Sequence, residues 1–507
     1  MWAAKARPLL GVVLVAAMMA GGATLLVTYA GTLSAAPTVS PHALVPQGIS
    51  VNAKPTLTLT PASGPHGTLV TLKGSGYAAS ASYYYCWAPS SSPVGCSWTL
   101  SFTTSASGSI PSGTTLTYSG SGAYVAVSMG TSSSTFAVST AYTATRATLT
   151  LTPGLGPSGT KVGLSGSGYA PSTVYDVCWA SSGSATGCPS TVTAVSTSGG
   201  ALPASAAITY SGSGSYVAVS QGSASVNFVV SASFPWTTAS LSLNPSTGPK
   251  GTLVTVSGSG YGPNTGYTAC FTATGTTSCS SGTAFTSTAA GAIPASTTIT
   301  VPATAHAYVD ISQGSAAANF IISAAFTGTV ATLTLSPSAG PSGTLVTLSG
   351  SGFTPSFTYT ACFAASGSSP CASGTAFTST ASGAIPAGTT ATVPGTANAF
   401  VDVSQGASNF IVSAAFRSTT ASLSLSPSSG PSGTRVTLSG TGFAPRTTYD
   451  YCWVSSVSSG CGSPSTFTST GSGAIPSSVT TTWNGGARWL AIYQGSSTAN
   501  FIVEAYF

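Results

Sequence analysis

The spacing of the cysteines constrains this chain more than any other feature. Cys86, Cys178, Cys270, Cys362 and Cys452 follow one another at intervals of 92, 92, 92 and 90 residues. A fixed period has to be read before any local motif, because it makes the chain several copies of one unit. A copy of about 90 residues can bury a core of its own, which favours separate beads over the shared layers of a solenoid.

The same signals recur in the same order inside every copy. An alternating run opens the unit, Thr56-Leu57-Thr58-Leu59 in the first and Ser422-Leu423-Ser424-Leu425 in the fifth. A Gly-Pro-x-Gly-Thr turn follows, beginning at Gly64, Gly156, Gly248, Gly340 and Gly430. Then come a second alternating run, a Gly-x-Gly bend, an aromatic-flanked cysteine, a Gly/Ser loop with a second cysteine, and further short alternating runs. Period-two alternation with β-branched residues specifies strands, and no helical periodicity appears in the repeats. About seven strands per unit, with turns near every ten residues, predict an immunoglobulin-like β-sandwich.

The expected fold class is therefore all-β: five tandem immunoglobulin-like β-sandwich domains forming an extended rod, preceded by an N-terminal hydrophobic signal or anchor helix. The expected boundaries are 55–146, 147–238, 239–330, 331–420 and 421–507, after a signal peptide or membrane anchor at 1–36 and a Pro-containing tether at 37–54. Lys5 and Arg7 precede an uncharged stretch rich in Leu and Val, which marks export and leaves everything after it outside the cytoplasm. Whether that segment is cleaved stays open at this stage. No cysteine precedes Cys86, which argues against a lipoprotein anchor, and residues 501–507 are too few for a hydrophobic anchor tail.

One stretch invites a family comparison. Pro-Ser-x-Gly-Pro-x-Gly-Thr-x-Val-Thr-Leu-Ser-Gly-x-Gly-Phe, at residues 337–353 and again at 427–443, resembles the opening of IPT/TIG-type immunoglobulin-like domains and related bacterial and archaeal surface repeats. The resemblance implies a sandwich used as spacer or binding module in exported, often adhesive or envelope-associated, proteins.

Ten cysteines fall into five local pairs: Cys86 with Cys96, Cys178 with Cys188, Cys270 with Cys279, Cys362 with Cys371, and Cys452 with Cys461. An even count, an exported context and identical placement point to one disulfide per unit. A ring this size suggests up to about 3 kcal/mol per bridge in the chain-entropy picture. Zinc would call for closer pairs or histidine partners, and a redox site for Cys-x-x-Cys; neither pattern is present.

Charge is scarce: 11 Lys and Arg against 5 Asp and Glu in 507 residues, a net of +6. Ser and Thr number 90 and 78, so the surface is hydroxylated and neutral. Such dilute charge predicts no nucleic-acid partner and no polybasic membrane patch, leaving the membrane only to the N-terminal segment. The acids Asp176, Asp310, Asp402, Asp450 and Glu504 give most units one carboxylate, too few for paired-carboxylate catalysis or a calcium cage. His42, His66 and His306 read as loop residues, and no unit offers a nucleophile with both a base and an orienting group. The expectation is no enzyme, no cofactor and no metal.

Aromatics carry the remaining candidates. Trp87, Trp179, Phe271, Phe363 and Trp453 each follow the first cysteine of a pair and read as packing on the disulfide or core. Tyr84, Trp98, Trp483, Trp489 and Phe507 are the candidate partner-binding residues, as a sugar-stacking or protein-docking face. Tyr142, Phe234, Phe326, Phe416 and Phe507 recur at the unit edges, where each is expected to pack on the start of the next unit, leaving Phe507 exposed. A Gln and Asn recur in the last hairpin and are expected to pair or cap that turn. Their spacing is six residues in units two, three and five (Gln221/Asn227, Gln313/Asn319, Gln494/Asn500) and four in unit four (Gln405/Asn409), an even deletion that preserves which strand face is buried.

The sequence reads as a non-enzymatic extracellular or cell-surface protein, a disulfide-stapled stalk or a subunit of a filament or envelope layer. Its partners would be copies of itself or cell-surface components. The alternative is a carbohydrate- or partner-binding protein acting through the aromatics of units one and five. With so few carboxylates to protonate, little stability should be lost between neutral pH and pH 2.

Overall fold

A computed structural model describes residues 54–507, apart from the short stretches 98–99, 185–186, 190–191, 305–306, 397–398, 457–459 and 496. The signal or anchor at 1–36, the tether up to residue 53, Trp98 and His306 lie outside the described residues. Among the described residues the structure is strands, turns and single turns of 3-10 helix, and no helix is long and apolar enough to cross a membrane.

Repeat 3 shows the pattern. A three-stranded antiparallel sheet places Leu253–Ser257 between Ser242–Asn244 and Thr298–Thr300. A four-stranded antiparallel sheet runs in the order Thr283–Thr286, Gly266–Thr272, Tyr308–Ser312, Phe320–Ala325. Alternation decides which side chains meet between the sheets: Val254 and Val256 of the first face Tyr267, Ala269, Val309 and Ile311 of the second in one buried cluster. Burying each such aliphatic side chain is worth about 1.5–3 kcal/mol. The same pair of sheets recurs in every repeat, each around its own buried cluster.

Two local devices shape the ends of each sandwich. The closing hairpin carries a β-bulge at an equivalent place in all five repeats, between Val127 and Ser128, Val219 and Ser220, Ile311 and Ser312, Val403 and Ser404, and Ile492 and Tyr493. A bulge bends its strand and re-aims the residues beyond it, here the turn that holds the recurring Gln. In repeat 4 the shorter turn leaves the register intact, with Phe400 opposite Ala415 as Tyr308 is opposite Ala325 in repeat 3. After the closing strand the chain pairs in parallel with the Gly-Pro segment of the same repeat, as Thr327–Thr329 does with Thr247–Pro249.

The aromatics at the repeat edges pack inward, against the expectation that they dock on the next repeat. Tyr142 meets Trp87 at 5.0 Å between ring centroids, Phe234 meets Trp179 at 5.1 Å, Phe326 meets Phe271 at 5.2 Å, and Phe416 meets Phe363 at 5.2 Å. Phe507 likewise lies 5.4 Å from Trp453 and 5.2 Å from Trp483 and is only 7% exposed. The expectation of an exposed Phe507 is therefore corrected. The reason is register: the strand's alternation points this residue between the sheets, where the ring after the first cysteine waits for it.

Candidate functional site: the joint between consecutive repeats

The five disulfides join Cys86 to Cys96, Cys178 to Cys188, Cys270 to Cys279, Cys362 to Cys371 and Cys452 to Cys461, with Cα atoms 5.4–5.7 Å apart. Each ties a central strand of the four-stranded sheet to the loop beside it. In repeats 1 to 4 the second cysteine's N–H donates to a buried serine hydroxyl on the neighbouring strand, as Cys279 does to Ser312 Oγ at 2.9 Å. These bridges hold the loop down; they lie within repeats and connect none.

What connects repeats is a plug and a socket. The plug is the bulged hairpin turn of one repeat; the socket is the start of the second strand of the preceding repeat. Gln313 Oε1 accepts the Lys161 backbone N–H at 2.7 Å, and Gln313 Nε2 donates to the Lys161 carbonyl oxygen at 3.1 Å. Gln405 grips Leu253 in the same way at 2.7 and 3.2 Å, and Gln494 grips Leu345 at 2.7 and 3.2 Å. Gln221 Oε1 accepts from Leu69 N–H at 2.7 Å. A carboxamide has an acceptor and a donor side by side, so it satisfies a strand edge as another strand would.

The Asn does two things at once. Asn227 Nδ2 donates to the Gln221 carbonyl oxygen at 2.9 Å, bracing its own turn, while its Oδ1 accepts from Thr117 Oγ1 of the preceding repeat at 2.8 Å. Asn319 meets Thr209 and Asn500 meets Thr392 in the same manner, at 3.1 and 3.2 Å. The expectation that Gln and Asn pair within the turn thus covers only half of their bonding. The other half crosses the joint.

The glycine of the Gly-Pro-x-Gly-Thr turn explains that motif. Gly67, Gly159, Gly251 and Gly343 all have positive φ, and a Cβ on any of them would collide with the carbonyl oxygen of Phe228, Phe320, Phe410 or Phe501 in the next repeat. Glycine is required twice over, by its backbone conformation and by the close approach. Around it Gly340, Pro341, Gly343 and Thr344 are buried, as are their counterparts in repeats 1 to 3. A second contact, on the linker side, has Thr145, Thr237, Thr329 and Thr419 donating to the carbonyl oxygens of Gly168, Gly260, Gly352 and Gly442 of the following repeat.

A buried tyrosine prepares each repeat for its predecessor. Tyr175, Tyr267, Tyr359 and Tyr449 are at most 2% exposed, and each hydroxyl accepts a backbone N–H, from Ala170, Gly262, Thr354 and Ala444 at 2.9–3.0 Å. The loop it holds packs on the joint, where Thr354 Oγ1 donates to the Thr247 carbonyl oxygen at 3.0 Å. Burial pushes the pKa of all four phenols up. Sequence reasoning missed this tyrosine, although it recurs three residues before the first cysteine of each pair, a regularity that shows once the repeats are aligned.

The aromatic candidates do not form one face. Tyr84 packs beside Cys86 and Cys96 in repeat 1. Trp489 packs beside Cys452 and Cys461 in repeat 5 and meets Tyr506 at 5.1 Å. Trp483 donates its indole N–H to the Ala487 carbonyl oxygen at 2.8 Å and is half-buried against Phe507. Trp236, in the linker after repeat 2, is 62% exposed and was not singled out by any sequence signal. His66 is exposed, as a loop reading implies, with Nδ1 3.3 Å from the Phe228 carbonyl oxygen. Among the described residues no group of His, Cys, Asp and Glu has metal-binding geometry.

No protein-family model and no curated protein matches the chain. Among solved structures it is similar to a tetra-tandem repeat from the extending region of a large adhesion protein, at 14% identity, covering 72% of this chain and 99% of that one, with a TM-score of 0.14. It is also similar to the Escherichia coli adhesin FdeC, at 15% identity over 53% of this chain and 96% of that one, TM-score 0.16. A third likeness is to native E. coli alpha-2-macroglobulin, at 10% identity over 87% of this chain and 39% of that one, TM-score 0.15. Overlays of this quality assign no activity to the chain. The sheets, cores and joints themselves define tandem sandwich repeats of immunoglobulin-like, all-β architecture.

Proposed function

We propose that the chain is an exported, non-enzymatic surface protein whose immunoglobulin-like domains, at 55–146, 147–238, 239–330, 331–420 and 421–507, act as a disulfide-stapled stalk that holds an adhesive or structural element away from the cell. The observation that carries this reading is the joint. Four successive repeats are seated on their predecessors by the same Gln clamp, the same glycine cradle and the same linker bond, a construction that resists bending between domains. Domains joined only by flexible linkers would move freely. Disulfides in every repeat suit an oxidising exterior.

Two measurements test the reading. Immunogold labelling of intact cells should place the protein on the surface, and small-angle X-ray scattering should give a maximum dimension on the order of 200 Å, from strand lengths rising about 3.3 Å per residue. Labelling confined to the cell interior, or a scattering profile of freely jointed beads, overturns it.

A further inference from the structure

The socket that is buried four times over is exposed in repeat 5. Gly430, Pro431 and Gly433 are exposed, whereas Gly340, Pro341 and Gly343 are buried. Nothing lies within 4 Å of a Cβ built on Gly433, among the described residues, although its φ of +91° matches the +84° to +87° of the other four cradles. The gripping points are in place: Arg435 begins its strand opposite Thr482, as Leu345 does opposite Thr392. Because the Gln clamp reads backbone, the side chain at this position is immaterial, and Lys161 accepts it as readily as Leu253.

The plug of repeat 1 has diverged in the opposite sense. Met129 stands where the other repeats carry the clamping Gln, and Thr135 where three of them carry the Asn. Met129 is 53% exposed, and Thr135 Oγ1 donates to the Ser132 carbonyl oxygen within its own turn. A thioether offers no amide N–H and only a weak acceptor to a strand edge. Repeat 1 therefore keeps the sandwich and loses the clamp.

We propose that the face of repeat 5 formed by residues 430–435 and Thr482 docks an immunoglobulin-like repeat of another polypeptide, through a hairpin turn carrying Gln at the clamp position. Met129 and Thr135 keep copies of this same chain from filling it. The four internal joints show what covers this face, since each pairs an equivalent socket with a Gln-bearing turn. The inference goes beyond the stalk reading, because it names a docking face and the fold that covers it.

The probe is the full chain carrying Met129→Gln with Thr135→Asn, which restores the plug. Sedimentation of the parent chain should show one-chain mass, and the double variant should shift with concentration to head-to-tail dimers and longer species. Gly433→Asn, chosen because Asn tolerates positive φ, fills the cradle and should return the double variant to one-chain mass. Thr482→Val, which leaves the backbone untouched, should weaken the assembly by roughly 5-fold or more through loss of the hydroxyl that meets the introduced amide. A double variant that sediments as the parent does, or assemblies indifferent to both socket substitutions, would overturn the proposal. So would a parent chain that already forms socket-dependent assemblies. None of these outcomes bears on surface localisation or stiffness, so the stalk reading fails or stands separately.

Discussion

Gln313 holds the backbone of Lys161 at both ends, its Oε1 accepting the N–H at 2.7 Å and its Nε2 donating to the carbonyl oxygen at 3.1 Å, across 152 positions of sequence. One side chain thus extends the sheet of the preceding repeat by the equivalent of one strand residue. Replacing it with Ala removes both bonds and leaves the Lys161 edge to water. The coupling between repeats 2 and 3 should fall by about 1–3 kcal/mol, read as faster hydrogen exchange at Lys161, while exchange in the Val254 and Val256 strand stays unchanged. Unchanged protection at Lys161 would show that the clamp contributes nothing.

Asp310 gives repeat 3 an unusual pH response. Its carboxylate is fully buried; Oδ2 accepts from Thr272 Oγ1 at 2.8 Å and Thr277 N–H at 3.1 Å, while Oδ1 has no partner. Burial raises its pKa above the ordinary 3.8, and the two hydrogen bonds only partly oppose that. A raised acid binds its proton more tightly in the folded state, so stability increases as pH falls through the raised value toward the ordinary one. Repeat 3 should therefore melt no lower at pH 3–4 than at pH 7, and Asp310→Asn should flatten the curve. A melting temperature that drops through this window would contradict the sign.

The local disulfides are expected to be worth about 3 kcal/mol each through their short rings. In repeat 4, Cys362→Ala with Cys371→Ala should lower the urea midpoint of that repeat and leave the far-ultraviolet spectrum intact. The reason is that Val346, Leu348, Tyr359 and Val401 form a core in which neither cysteine takes part. Loss of β-structure in the double variant would instead make the bridge a condition of folding.

Tyr359→Phe keeps the ring and deletes the oxygen that accepts from Thr354 N–H at 3.0 Å, at a fully buried residue. An orphaned buried donor costs about 1–3 kcal/mol. Repeat 4 should lose that much in equilibrium unfolding, and the seating of Thr354 on Thr247 should loosen with it. Absorbance titration should also show a class of phenols that fail to ionise until the chain unfolds, among them Tyr169 and Tyr261, whose pKa burial drives well above the usual value.

Phe507 is a core residue of repeat 5, so Phe507→Ala should destabilise that repeat by about 3–5 kcal/mol, the range for emptying a buried aromatic site. Tyr506, 52% exposed, should tolerate Ala far better despite its contact with Trp489. Equal effects at the two positions would argue against the inward register of this strand.

The sequence by itself determined the repeat period, the β class, the neighbouring of the two cysteines in each pair and the turn glycines. All of these depend on local chemistry that one unit repeats: alternation buries Val254 and Val256 together, and a nine- or ten-residue loop brings its ends close. Only the tertiary structure decided what the recurring turn residues touch. Gln221, Gln313, Gln405 and Gln494 reach backbone some 150 positions away, and that contact depends on how one sandwich is seated on another. The seating is set jointly by the bulge that aims the turn, the glycine that lets a carbonyl approach, and the linker bond on the other side. No window of sequence contains all three. The edge aromatics make the same point, because their recurrence is legible in the sequence while their direction follows from strand register, which turned Phe507 from a surface residue into part of the core.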